Sequence, residues 1–481
     1  MKRFILLVTA CSSLAILLAT LGYSPASSSP PQGLLKAGSL SHPGLRKIAT
    51  RDYSPTIMDP VVFANLWRSW DAPSRDAAEK ASDQVRRQMT LERYGLIEAP
   101  YDNDGAPLGF LVKPDGSYAM NCLICHSGAV AGKTIMGLPN TALDFSGIYE
   151  DVETTVTILH GNNPGTPAFP QGLLFLAQGK NPENIEFPEG LLSVSRGTFN
   201  SFTFSVNFLS IRDRDLNVQQ TPVDLKPLNH YLDPPPLWHA RKKTAFYTDG
   251  FAVKSVRPLM QFSLDPSFGP EQFRSWEDDY KDIYEWLHTI EAPKYTGHID
   301  KALASKGQRV YAQTCARCHG TPGRGGEYPN QVVPIEVVNT DRGRLDGLSP
   351  EFKKHFSNSW MGKHGETRIT THSKGYVAPP LDGIWASAPY FHNGSVPTLY
   401  HVLFPEERPP VWRVKDYNSY DHTRMGLLVE EHGSMPATRT ILEKRSYYDT
   451  TRPTMSNGGH RFPETLNKKQ RRSLLEYLKS L

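Results

Sequence analysis

Two identical five-residue motifs constrain this chain more than any other feature. Cys122-Leu123-Ile124-Cys125-His126 and Cys315-Ala316-Arg317-Cys318-His319 both read Cys-x-x-Cys-His, the attachment signature of covalent c-type haem. The chemistry dictates the spacing. Two thiols form thioethers with one haem, and the adjacent imidazole comes under the iron as its proximal ligand. A four-thiolate zinc site built from two Cys-x-x-Cys pairs would leave His126 and His319 without a role. A thioredoxin-type redox pair needs a βαβ context, which the sequence does not provide. Two covalent haems are therefore expected, bound through Cys122, Cys125, Cys315 and Cys318, with His126 and His319 on the iron. Of the five cysteines only Cys11 lies outside these motifs, so no disulfide is expected.

The chain has 481 residues, 39% hydrophobic and 10% aromatic. That is enough apolar material for sizeable cores and too much for wholesale disorder. Basic and acidic residues nearly balance, 53 against 49, which gives no electrostatic reason to expect nucleic-acid binding. Met1-Lys2-Arg3 followed by an apolar run from Phe4 to Gly22 reads as a secretory leader, residues 1–26, or as an uncleaved membrane tether. Export agrees with covalent haem, which is attached outside the cytoplasm. The expected location is periplasmic or secreted.

Residues 27 to about 50 are rich in Ser, Pro and Gly and read as an extended lead-in. Helical spacing predicts a helix over 275–292, where Tyr280, Ile283, Trp286, Leu287 and Ile290 recur before Pro293. A second helix is expected over 300–313, directly before the second motif, with Leu303, Gly307, Val310 and Tyr311 on one face. A third closes the chain over 466–481, capped by Thr465. Cytochrome c folds cross an N-terminal and a C-terminal helix at a small residue, and Gly307 fits that role. The first motif is preceded instead by a hairpin pattern, Gly109 to Gly116. Each motif is expected to lie in its own domain with a cytochrome-type layout, altered in the first. The N-terminal one covers 27–295 with a long insertion, and the C-terminal one covers 296–481.

Three further segments carry a family resemblance. They are Asn121-Cys122-Leu123-Ile124-Cys125-His126-Ser127-Gly128 with Gly137-Leu138-Pro139-Asn140, the run Pro380-Leu381-Asp382-Gly383-Ile384-Trp385 with Ala388-Pro389-Tyr390-Phe391-His392-Asn393-Gly394-Ser395-Val396-Pro397-Thr398-Leu399, and Asn457-Gly458-Gly459-His460. Over residues 60–481 the chain resembles the bacterial dihaem cytochrome c peroxidase superfamily, and within it the branch containing the dihaem rubber oxygenases. The resemblance implies a mainly α fold of two cytochrome c-like domains with long irregular loops, and one haem that meets substrate and one that passes or stores electrons. It implies His460 as the distal ligand of the second haem. Met435 and Met361 are rivals, because the peroxidases use a distal Met there. His392 is expected to fix the loop beside that haem. The resemblance also implies an aromatic at about Phe251 lining an oxygen pocket on the first haem, and a Trp, Trp238, between the haems. The other reading of both is plain core packing. The peroxidases often hold a calcium ion between their domains, although no spacing here names its ligands. The distal carboxylate that peroxidases use as acid has no assignable counterpart.

The expected function is an exported dihaem oxidoreductase, reactive toward peroxide or dioxygen at the first haem and passing electrons through the second. Its expected partners are a small electron-donor protein or quinol-linked cytochrome, and a small-molecule oxidant or organic substrate. The alternative is a non-enzymatic periplasmic electron-transfer cytochrome, and a third reading is a structural or sensory haem protein.

Overall fold

The computed structural model describes residues 39–161, 192–226 and 228–481. The leader expected over 1–26, with Cys11, lies outside them, as does the middle of the insertion. The chain is mainly helical, 41% helix against 14% strand, and its strands form small two- and three-stranded sheets. Among the described residues no helix is long and apolar enough to cross a membrane.

The helices that frame the fold are α1 (Pro43–Thr50), α2 (Phe145–His160), α3 (Pro270–Thr289), α4 (Lys301–Thr314), α5 (Pro350–Asn358) and α6 (Lys468–Leu478). α4 begins where Asp300 accepts a hydrogen bond from the Leu303 amide at 2.9 Å, satisfying one orphan donor of its first turn. It buries Ala304, Gly307, Val310 and Tyr311 against α6, which buries Leu474, Leu475, Tyr477 and Leu478. Gly307 marks the crossing, since a Cβ there would lie 1.9 Å from the Ser473 carbonyl oxygen. Asn467 caps α6, accepting from the Gln470 amide at 3.0 Å. Thr465, the expected cap, ends a short turn instead, its hydroxyl donating to the Phe462 carbonyl.

The crossing makes a stability prediction. Gly307→Ala adds helix propensity of about 1 kcal/mol, but the backbone in its way cannot rotate aside as a side chain would. Net destabilisation of about 2 kcal/mol is expected from overpacking, and more for Gly307→Val. Denaturant unfolding of the holoprotein checks it. A Gly307→Val protein as stable as wild type would contradict the crossing.

The N-terminal half repeats this device, which corrects the extended lead-in expected over 27–50 for its last residues, 43–50; residues 27–38 lie outside the described ones. Residues Pro43–Thr50 are helical. Pro43 suits the first helical position, His42 caps through Nδ1 accepting from the Gly44 amide at 3.1 Å, and Leu45, Ile48 and Ala49 are buried. They pack with Tyr280, Ile283, Trp286 and Leu287 of α3. A Cβ on Gly44 would lie 2.0 Å from the Asp282 carbonyl oxygen, so a glycine again sits where the helices meet. Lys47 locks the pair through Asp279 at 2.8 Å. α3 itself starts earlier than expected, at Pro270, and stops at Thr289, leaving Ile290 extended.

The hairpin expected before the first motif is present. Strands Phe110–Val112 and Tyr118–Met120 pair antiparallel, and Thr56–Met58 adds to the outer side of the second. One core unites α1, α3 and Leu123 of the first motif with Phe251, Leu348, Phe352, Phe356 and Met361. α5 thus packs with N-terminal elements, across the boundary expected at residue 295. A second core joins Val130, Leu138 and Trp238 to α4, α6 and the 384–404 segment.

Candidate haem sites

The first motif is a tight 3-10 turn. The Asn121 side chain accepts from the Leu123 amide at 3.0 Å, and the His126 amide donates to the Cys122 carbonyl at 3.1 Å. Leu123 anchors the turn in the core with no exposed surface. Asn140, buried, holds it from outside: its Nδ2 donates to the Ile124 and Gly95 carbonyls at 3.1 and 2.9 Å, and its amide donates to the Cys125 carbonyl at 2.9 Å. The second motif continues out of α4, with the Cys315 amide bonded to the Tyr311 carbonyl at 2.8 Å and the His319 amide to the Cys315 carbonyl at 3.0 Å. All four thiols are free of disulfides, as thioether formation requires.

Both motif imidazoles meet a proline carbonyl. His319 Nδ1 pairs with the Pro379 carbonyl at 2.7 Å, which leaves Nε2 with its lone pair for a metal. Burial lowers the pKa of His319, and the Pro379 carbonyl partly offsets that. Burial lowers His126 to about 4, with the Pro235 carbonyl acting in the opposite sense. His126 Nδ1 is buried without a hydrogen bond of good geometry. Both rings are thus neutral at physiological pH, the form that ligates metal.

His460 faces His319, their ring centroids 6.2 Å apart and the planes inclined at 63°. Two imidazoles sharing one metal at bonds of about 2 Å put their centroids about 6 Å apart, so the pair fits an iron between them. Burial lowers His460 to about 3, with His319 and Arg408 adding to the effect. The segment Gly459-His460 adopts left-handed backbone, φ +75 and +48. A Cβ on Gly459 would lie 2.2 Å from the Asn339 backbone, so only glycine lets the loop in this close. The His460 amide donates to the Val338 carbonyl at 2.7 Å. Of the rivals, Met361 is fully buried in the core that holds Phe251, and Met435 is half-buried in the loop after strand Val429–His432.

His392 stacks on Tyr376, centroids 4.3 Å apart at 28°; it is next to Phe391, whose ring lies 5.9 Å from His460. The 390s loop is anchored by Tyr448, whose hydroxyl donates to the Asn393 carbonyl at 2.6 Å, and by Trp412, whose Nε1 donates to the Ser395 carbonyl at 3.1 Å. Phe251, 1% exposed, packs on Phe356 and Phe352 at 5.2 and 5.9 Å, in the core that also holds Leu123. Trp238, 2% exposed, donates from Nε1 to the Asp382 carbonyl at 2.7 Å.

These contacts connect the two motifs. The Gly137 amide donates to the His126 carbonyl at 2.7 Å, and the Leu237 amide donates to the Gly137 carbonyl at 2.8 Å. Trp238 follows and reaches Asp382, which lies just after Pro379, the partner of His319. Asp382 is held in turn by Lys242 and the Gly323 amide, both at 2.7 Å. Sequence reasoning missed Pro235, Pro379, Asn140 and Asp382 as supports. The Pro234-Pro235-Pro236 and Pro379-Pro380 runs were the available signal, because proline fixes the backbone that presents a carbonyl. Among the described residues no group of three or more His, Cys, Asp or Glu is placed to hold a metal ion, so the calcium expectation has no donor cluster there.

A Cys-x-x-Cys-His turn leaving a helix that crosses another at a glycine is the make-up of a cytochrome c-like domain, which implies covalently bound c-type haem and electron transfer. Comparison with known proteins agrees. Residues 375–413 match a family described as RoxA-like, cytochrome c-like, and residues 302–359 match one described as cytochrome c oxidase, cbb3-type, subunit III. Two relatives come from Sinorhizobium fredii. The uncharacterized protein y4iM is 26% identical over 299 residues, covering 53% of this chain and 66% of its own. The uncharacterized protein y4iJ is 26% identical over 247 residues, covering 38% of this chain and 40% of its own. The chain thus spans about two thirds or less of the length of these curated relatives.

Haem content is directly testable. A pyridine haemochrome assay should give two c-type haems per chain, and the double variant Cys122→Ala, Cys125→Ala should give one. Zinc without iron in the purified protein would overturn the reading.

Proposed function

We propose that the chain is an exported dihaem c-type cytochrome oxidoreductase of the dihaem peroxidase and rubber oxygenase kind, reactive toward peroxide or dioxygen at the first haem and passing electrons through the second. One observation carries this reading: the two motif histidines differ in what faces them. His460 opposes His319, whereas among the described residues no aromatic or imidazole ring is in contact with that of His126. Two strong ligands suit electron transfer, and an open sixth position suits chemistry.

Bound haem supplies the redox chemistry, and the chain positions and encloses it. Cys122 and Cys125, and Cys315 and Cys318, hold the two groups. His126 and His319 ligate from the proximal side, and His460 closes the second site. Phe251, with Phe352 and Phe356 behind it, is an apolar wall that keeps water from the first site. Trp238 couples the two sites, supported by its hydrogen bond to Asp382 between segments that reach both motif histidines. His392 acts structurally through its stack on Tyr376.

The protein works in the periplasm or outside the cell, with the leader cleaved or kept as a tether. A small electron-donor protein or quinol-linked cytochrome feeds the second haem, and a small-molecule oxidant or organic substrate meets the first. The EPR spectrum of the oxidised protein tests this. One low-spin ferric signal from the second haem and one high-spin or weakly ligated signal from the first are expected. Two strongly ligated low-spin signals would replace the oxidoreductase with an electron carrier.

A further inference from the structure

The distal loop that carries His460 is held by a buried arginine. Arg408 Nη1 donates to the Asn457 carbonyl at 2.7 Å and to the Gly459 carbonyl at 2.8 Å. Its Nε donates to the His401 carbonyl at 2.9 Å, and Nη2 reaches the Val402 carbonyl at 3.5 Å. The guanidinium also lies over the Phe391 ring, 4.9 Å from its centroid, and the same ring is 5.9 Å from His460. One side chain therefore ties the helical turn Leu399–Leu403 to the segment that leads into the distal histidine.

Among the described residues Arg408 has no carboxylate partner. The nearby Glu406 pairs with Arg471 at 2.8 Å, and Glu464 pairs with Arg461. Burial pushes the Arg408 pKa down to about 10, so it still carries its charge at neutral pH. A buried cation satisfied only by carbonyl dipoles is costly, and arginine is the side chain whose fixed fork can meet several acceptors at once. The loop it grips needs holding: Gly459 and His460 both have positive φ, a conformation uncommon for histidine and retained only where its surroundings impose it.

We propose that Arg408 is the positioning residue of the second haem: it holds the Asn457–Gly459 loop so that His460 ligates, and its positive charge, which has no directly paired carboxylate among the described residues, raises that haem's reduction potential. The inference rests on His460 being the distal ligand. Hydrogen bonds to two carbonyls in the segment that leads into the histidine restrict its approach, and a fixed positive charge near the iron favours the less charged ferrous state.

Two variants separate the roles. Arg408→Lys keeps the charge but cannot span all four carbonyls. It should lose part of the low-spin absorption and EPR signal of the second haem, while with imidazole restoring the sixth ligand its midpoint potential matches that of imidazole-treated wild type. Arg408→Met should lose most of that signal and, with imidazole restoring the sixth ligand, still show a lowered potential, with both haems attached by the haemochrome assay. Added imidazole should restore the low-spin signal in either variant. If Arg408→Met fails to fold, Arg408→Lys with and without imidazole decides the positioning role, and its potential decides the charge role. A folded Arg408 variant with an unchanged low-spin signal, where His460→Ala loses it, would overturn this proposal alone. An unchanged signal in His460→Ala would instead remove the ligand assignment beneath it.

Discussion

His460→Ala is expected to convert the second haem from low-spin to high-spin or water-ligated while both haems remain covalently attached. The expectation comes from the 6.2 Å between the His319 and His460 rings, a span that one iron fills. Burial keeps both imidazoles neutral, so no proton competes with the metal at pH 7. The reduction potential of this haem should shift as well, because axial-ligand identity is the strongest lever on it. The fold should survive, since the helix crossing at Gly307 is formed elsewhere. A low-spin spectrum unchanged by the substitution would return the assignment to Met435 or Met361.

How much of this was legible in the sequence depended on range. The haem motifs and the helix before the second one were readable because their signals are local. So was Gly307, because a small residue on a buried helical face has few other uses. α1 was not readable: it has few apolar positions, Leu45, Ile48 and Ala49 among them, and lies in a stretch whose Ser, Pro and Gly content suggests a loop. Only its contact with Asp282 of α3, more than two hundred residues away, gives Gly44 a meaning. The caps misled for a related reason. Thr465 and Asn467 are both good capping residues, and only the reciprocal bonds between Asn467 and Gln470 select the second. The packing of α5 against Phe251 and the gripping of the Gly459 carbonyl by Arg408 join segments with no shared sequence signal. The carbonyls of Pro235 and Pro379 left only the indirect signal of their proline runs, since a backbone oxygen carries no residue signature.

The second large effect is expected at the first haem. His126 lies on a turn locked by Asn121 and Asn140, and Leu123 of that turn belongs to the core that also holds Phe251. On the proposed reading the first iron has one protein ligand, and such a site admits a small exogenous ligand because no protein donor has to be displaced first. The second site would require His460 to leave, against the backbone bond from its amide to Val338 and the grip of Arg408 on its loop. The direct measurement is a titration of the protein with cyanide in the oxidised state and carbon monoxide in the reduced state, followed by absorption and EPR. Saturation should perturb one haem of the two. His126→Ala should abolish that response, and His319→Ala should leave part of it. Failure of both haems to bind either ligand in any redox state would contradict the account and leave an electron-transfer cytochrome in its place.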